Sequence, residues 1–178
     1  VELRRDAVPL EEMVGTSLYR LRTLLKGRAV VTDLPPSLPL VYGDEILLGQ
    51  VFVNLLENAA KYTPSGGTIA LNAYQKGNHV VIEIEDDGAG LDIDRIRARG
   101  VERGMIAADH AAEMSDEDLR QLIFLPGFTT AAEVTELSGR GVGMDVVRTN
   151  IGRLGGVIDV HSQLGIGTKF TLTLPITL

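Results

Sequence analysis

The chain has 178 residues, with 17 Lys and Arg against 24 Asp and Glu, and a formal net charge of −7. With no cysteine, a disulfide scaffold, a thiolate zinc site and a catalytic thiol are all excluded. The acidic balance, with 4% aromatics and no Trp, argues against a nucleic-acid partner, which calls for a basic face with stacking residues. Glycine is in excess: there are 20, where average usage of roughly 7% predicts about 12 or 13.

No apolar run reaches the length of a membrane span; the richest, residues 46–56, is broken by Gly49, Gln50 and Asn54. The opening VELRRD is followed by no apolar core of a secretory signal. These features predict a soluble, cytoplasmic, single-domain chain over residues 1–178, with no direct membrane insertion.

Residues 9–26 read as an amphipathic helix. Pro9 suits its first turn, Leu10, Met13, Val14, Leu18, Leu21, Leu24 and Leu25 recur at three and four, and Gly27 ends it. A short strand over 29–32 meets a Pro-rich connector at 34–39. Gly43-Asp44 introduces a second helix from about 45 to 62, closed by Thr63-Pro64-Ser65-Gly66-Gly67. Strands follow at 68–75 and 79–86, with Lys76-Gly77-Asn78 as their hairpin turn. Residues 91–138 are mixed, with short helical patterns at 92–103, 107–114 and 116–124. This stretch fits poorly as core, and is expected to be a lid or an insert. A third long helix is predicted from about Gly143 to Gly155-Gly156, and a last hairpin pairs 157–162 with 168–174 around Gly165–Gly167. This order implies an α+β layer, one sheet with helices on one face.

Four constellations carry chemistry. In QVFVNLLENAAKYT, residues 50–63, a rotation of about 100° per residue sets Asn54 and Asn58 about 40° apart and Asn58 and Lys61 about 60° apart. An Asn carbonyl beside a Lys suits a Mg²⁺–triphosphate, because Mg²⁺ keeps waters and phosphate oxygens around one protein oxygen; a polar solvent face explains the same spacing. In IEIEDDGAGLD, residues 82–92, Asp86 ends a strand ahead of Gly88 and Gly90. The carboxylate can accept from the exocyclic amine of a base, and the missing side chains let its ring approach the backbone; a plain Asp-Gly turn is the alternative. In SGRGVGMDVVRTN, residues 138–150, three glycines precede a helix, whose free amides and dipole favour an anion. That pattern is neither a dinucleotide fingerprint nor a P-loop, and a flexible loop at a helix start also accounts for it. Finally, Gly165-Ile166-Gly167-Thr168 occupies the last hairpin, where a turn alone explains the glycines.

Taken in order, NLLENAAKYT, DDGAG, FLPGF, GRGVGMD and GIGT resemble the N, G1, F, G2 and G3 boxes of the GHKL (Bergerat-fold) superfamily, in its histidine-kinase catalytic branch. The resemblance implies a Bergerat-type α/β sandwich with a mixed, mostly antiparallel sheet, three helices on one face and a long ATP lid at about 91–140. It implies ATP or ADP and Mg²⁺ as cofactors, with Asn58 as the metal ligand, Asn54 as its catalytic companion, and Lys61 and Tyr62 as contacts to phosphate and nucleotide. Asp86 would bind the adenine amine, helped by Gly88, Gly90 and Thr168. The backbone of Gly141, Val142 and Gly143, with Gly139, Arg140 and Met144 beside it, would hold the phosphates; Phe124 and Phe128 would belong to the lid. The N-terminal half is similar to KdpD-type sensor kinases and the part from Gly88 onward to the chemotaxis kinase CheA, which implies a mosaic, either an unusual natural kinase or an engineered chimera.

The resemblance further implies a histidine protein kinase domain that passes a γ-phosphoryl group to a histidine on a separate domain, with a response regulator downstream. His79, His110 and His161 read as surface or edge residues, so the acceptor is expected elsewhere and the fragment is expected to be a monomer. Two alternatives remain: a nucleotide-binding module without transfer, and a gyrase, MutL or Hsp90-type ATPase. The latter enzymes place a Glu where this chain has Asn54.

Overall fold

A computed structural model describes residues 2–128 and 143–176. A small antiparallel pair opens the fold, β1 (Asp6–Val8) with β3 (Val41–Gly43), in register Asp6↔Gly43 to Val8↔Val41. Three-residue strands are too short to show alternation, which is why neither was foreseen.

Helix α1 (Leu10–Arg20) is shorter than the apolar stripe predicts. The chain leaves the helix at Leu21 and continues in turns, yet Leu21 and Leu25 stay buried. Near the break, the Thr16 and Ser17 hydroxyls donate to the carbonyls of Glu12 and Met13, both at 2.9 Å, a back-bonding that weakens helices. Helix α2 (Glu45–Tyr62) keeps the expected bounds. Asp44 caps it, accepting from the amides of Ile46 at 2.9 Å and Leu47 at 3.2 Å.

The main sheet runs β2-β4-β5-β7-β6. Its strands are β2 (Ala29–Asp33), β4 (Thr68–Lys76), β5 (His79–Asp86), β6 (Val157–Gln163) and β7 (Gly167–Pro175). Only the β2–β4 pair is parallel, so the sheet is mixed and mostly antiparallel. Alternate residues of the strands, among them Leu71, Ile82, Ile84, Val160, Phe170 and Leu172, are buried. They join Leu48, Val51, Phe52, Leu55 and Leu56 of α2 and Val147 and Ile151 of α6 (Met144–Arg153) in one core. The other face is polar, with Glu83 near both Tyr74 (3.3 Å) and Lys169 (3.9 Å). One apolar face covered by α1, α2 and α6 is the α+β layer expected.

The stretch after β5 departs from expectation. It folds into α3 (Ile93–Glu102), α4 (Ala108–Glu113), α5 (Asp116–Arg120) and a 3₁₀ turn, Gln121–Phe124. Ile96, Leu119, Leu122 and Phe124 belong to the core, so the prediction that this stretch fits poorly as core fails for its described part. Each helix is short, but their apolar residues converge on one side, a pattern no single window reveals. Phe124 packs edge-on against Phe170, ring centroids 6.5 Å apart; it is a core residue. Phe128 is half-buried against the same core.

Candidate functional site

Register and burial together locate the site. Across the helix-facing side of the sheet, Ile69 on β4 lies opposite Asp86 on β5, Asp86 opposite Thr168 on β7, and Thr168 opposite Ser162 on β6. The next row inward is Leu71, Ile84, Phe170 and Val160, wholly apolar and buried. At this one end the core face turns polar. Asp86 and Thr168 are each only 8% exposed, and buried polar side chains need partners.

Asp86 has them. Its Oδ1 accepts from the Gly88 amide at 2.9 Å, and the Thr168 amide donates to the same carboxylate. Burial nevertheless pushes the carboxyl above its ordinary value, with Asp87 and Glu85 adding to the rise against those two amides.

Helix α2 reaches the same end. The Ala89 amide donates to the Tyr62 carbonyl at 3.4 Å, and a Cβ on Gly88 would collide with that carbonyl oxygen. On the other side, Gly90 has φ +74, and a Cβ there would strike the Gln163 carbonyl. The Gly165 amide closes the loop on the Ala89 carbonyl at 2.7 Å. The two glycines therefore bring three chain segments into backbone contact. The missing side chains make room for the protein's own carbonyls.

On α2, Asn54 is buried at 9% exposure, Asn58 is half-buried, and Lys61 and Tyr62 are exposed. A polar solvent face does not account for a buried Asn54. Lys61 Nζ lies 5.4 Å from the Tyr62 ring centroid. Helix α6 hands over to β6 through Leu154–Gly156, so its start lies toward the Ser162 end of the sheet. Gly143 is its N-cap and supplies no side-chain cap; Met144 is half-buried against the core. Gly139, Arg140, Gly141 and Val142 lie outside the described residues.

The structure thus brings Asp86, Gly88, Gly90 and Thr168 to one end of the sheet, with the C-terminal end of α2 beside them at Tyr62. All three histidines are exposed. Two polar residues escaped the sequence reading. Asn150, buried on α6, donates to Gln50 of α2 at 3.4 Å; the spacing Val147, Asn150, Ile151, Leu154 puts it on the inner stripe. Ser162 continues the inward alternation of Ile158 and Val160, and that alternation was the available signal. Among the described residues no helix is long and apolar enough to cross a membrane.

The family described as histidine kinase-, DNA gyrase B- and HSP90-like ATPase matches residues 43–178, and the chain belongs to it. Over 190 aligned residues the chain is 37% identical to the chemotaxis protein CheA of Halobacterium salinarum, covering 96% of this chain and 28% of that protein. It is 50% identical over 115 residues to the sensor histidine kinase CheAY of Helicobacter pylori, covering 65% of this chain and 14% of that one. The chain thus spans less than a third of either relative. Among solved structures, the mycobacterial sensor histidine kinase MprB superposes with a TM-score of 0.71 at 24% identity, covering 97% of both chains. The catalytic domain of histidine kinase ThkA gives 0.72 at 20%, covering 99% of this chain and 97% of that one. These likenesses place the fold with histidine-kinase ATPase domains.

Proposed function

We propose that this domain binds Mg²⁺–ATP between the polar end of the sheet and the C-terminal half of α2, and passes the γ-phosphoryl group to a histidine on a separate domain. The observation that carries the reading is the buried pair Asp86 and Thr168, continued by half-buried Ser162, ending an otherwise apolar face. The Gly88 and Thr168 amides already serve the Asp86 carboxylate, and its remaining lone pairs suit a donor on a polar ligand. The Asp86 carboxylate would accept from the adenine amine, with Thr168 beside it, and the nearby Gly88 and Gly90 would shape the loop. Lys61 and Tyr62 would contact phosphate and nucleotide. The amides at the start of α6, at Gly143 and Met144, together with Gly139, Arg140, Gly141 and Val142, would meet the phosphates; Phe128 would sit at the base of the lid.

Among the described residues no three His, Asp or Glu side chains gather as a metal cage. The residues fit a Mg²⁺ that takes one oxygen from Asn58 and the rest from water and phosphate. Its chemistry would be neutralisation of charge on the transferring group. In the transfer an imidazole nitrogen lone pair forms the new bond to the γ-phosphorus while the bond to the ADP oxygen breaks. The imidazole is its own nucleophile, so no general base is required. Asn54 agrees with this, because an amide cannot take a proton from water near neutral pH and so favours transfer over hydrolysis. The exposed His79, His110 and His161 make poor acceptors within this chain, and a response regulator would follow downstream. The likeness to CheA over 96% of the chain supports a chemotaxis-type kinase without requiring two parents.

Calorimetric titration with a non-hydrolysable ATP analogue and Mg²⁺ tests the site. Asn58→Ala is expected to weaken metal-dependent binding about tenfold or more while leaving metal-free binding close to unchanged. Transfer of label from γ-labelled ATP to an added histidine-bearing helical domain tests the activity. Binding without transfer would leave a nucleotide-binding module, and rapid hydrolysis without acceptor would favour the gyrase-like alternative.

A further inference from the structure

The polar row finishes on Ser162, whose hydroxyl meets three partners. The Leu91 amide donates to its Oγ at 2.7 Å, the Gly167 carbonyl accepts from it at 3.1 Å, and Thr168 Oγ1 lies 3.0 Å away. A hydroxyl has one hydrogen and two lone pairs. The Leu91 amide can only donate, so it occupies one lone pair. The Gly167 carbonyl can only accept, so it takes the hydrogen. What remains for Thr168 is the second lone pair, and the contact between the hydroxyls is therefore made by the hydrogen of Thr168. With its hydrogen committed, Thr168 Oγ1 has only lone pairs to offer elsewhere.

We infer that Ser162 is a positioning residue that fixes the Thr168 hydroxyl as an acceptor beside the Asp86 carboxylate, so that the base subsite presents two acceptors and selects an amine-bearing base over a carbonyl-bearing one. The inference rests on the reading above, that Asp86 and Thr168 face the base. An exocyclic amine carries two hydrogens and can satisfy both acceptors. A carbonyl oxygen in its place faces lone pairs and goes unpaired, a loss that discriminates strongly in a buried site. Ser162 also joins the chain beyond Gly90 to the last hairpin, so one side chain holds the loop and sets the hydroxyl's polarity.

Inosine triphosphate carries a carbonyl where ATP carries its amine, so paired titrations with the two Mg²⁺-nucleotides read the effect. Ser162→Ala frees the Thr168 hydrogen to turn toward a carbonyl and is expected to lower the ATP-over-ITP preference about tenfold. Ser162→Thr keeps the hydroxyl and should restore the preference to within about twofold. Thr168→Val removes the acceptor directly and should reduce the preference even if Ser162→Ala does not fold. A purely structural brace would weaken both nucleotides by one factor in Ser162→Ala; that result, or an unchanged preference in either Ser162→Ala or Thr168→Val, overturns the inference and leaves the nucleotide site standing. A natively folded wild-type domain that binds neither nucleotide overturns both.

Discussion

At Asp86 stability and recognition pull in opposite directions. Because burial raises its carboxyl, the folded chain holds the proton more tightly than the unfolded one. Stability from this group is therefore fully present below the ordinary value of 3.8 and is lost as pH rises through the raised one. Binding an amine needs the carboxylate, so affinity for ATP is expected to fall on the acid side, with a midpoint above the ordinary carboxylate value. Asp86→Ala should weaken ATP binding about 10- to 100-fold, the worth of a charge-assisted hydrogen bond. The same variant should flatten the part of the denaturation-midpoint profile that wild type shows as pH climbs through that region. Calorimetry and urea unfolding at stepped pH check the two halves separately. An affinity that holds down to the ordinary carboxylate range would contradict the assignment.

Helix α2 is the element on which site and core meet. Its cap, Asp44, shows the reverse pKa behaviour. Burial alone would raise that carboxyl, but amide hydrogen bonds from Leu47, Arg4 and Ile46, with Arg153 nearby, hold it below the ordinary value. Its contribution is present above the ordinary value and lost as pH falls through the lowered one. Asp44→Ala is expected to cost about 1 kcal/mol, read as a lower urea midpoint at neutral pH with the difference shrinking in acid. The bounds of α2 were legible because its cap, its length and its closing Thr63–Gly67 turn signals all agree. Helix α1 was legible as a buried stripe but not in length, since hydrophobic spacing does not register where hydroxyls compete for the backbone. Motif and spacing singled out Asn58 and Asp86, and the structure buries Asp86 at the sheet end and leaves Asn58 half-buried on α2. For Ser162 the alternation of β6 marked only an inward side; its partner became visible once the register set it beside Thr168.

At the scale of the whole molecule, the segment after β5 is as much foundation as cover. Phe124, expected in the lid, fills the space beside Phe170, and Arg148 of α6 lies over its ring at 5.4 Å. Phe124→Ala should therefore destabilise the entire domain by about 3 kcal/mol, seen as one cooperative transition at lower denaturant. A mutation confined to a detachable lid would leave the midpoint unchanged. What composition could not foresee was convergence: α3, α5 and the 3₁₀ turn each bring few apolar residues, and only packing shows that they share one side. The rest of the expected lid, beyond Phe128, lies outside the described residues.

The collisions that a side chain at Gly88 or Gly90 would meet come from carbonyls of the protein itself. A descendant that gave up its nucleotide would still need both glycines to keep the sheet end and helix joined. On the proposed function, loss of the nucleotide in such a lineage would be written first at Asp86 and Asn58, while the glycine pattern persisted as an inherited joint.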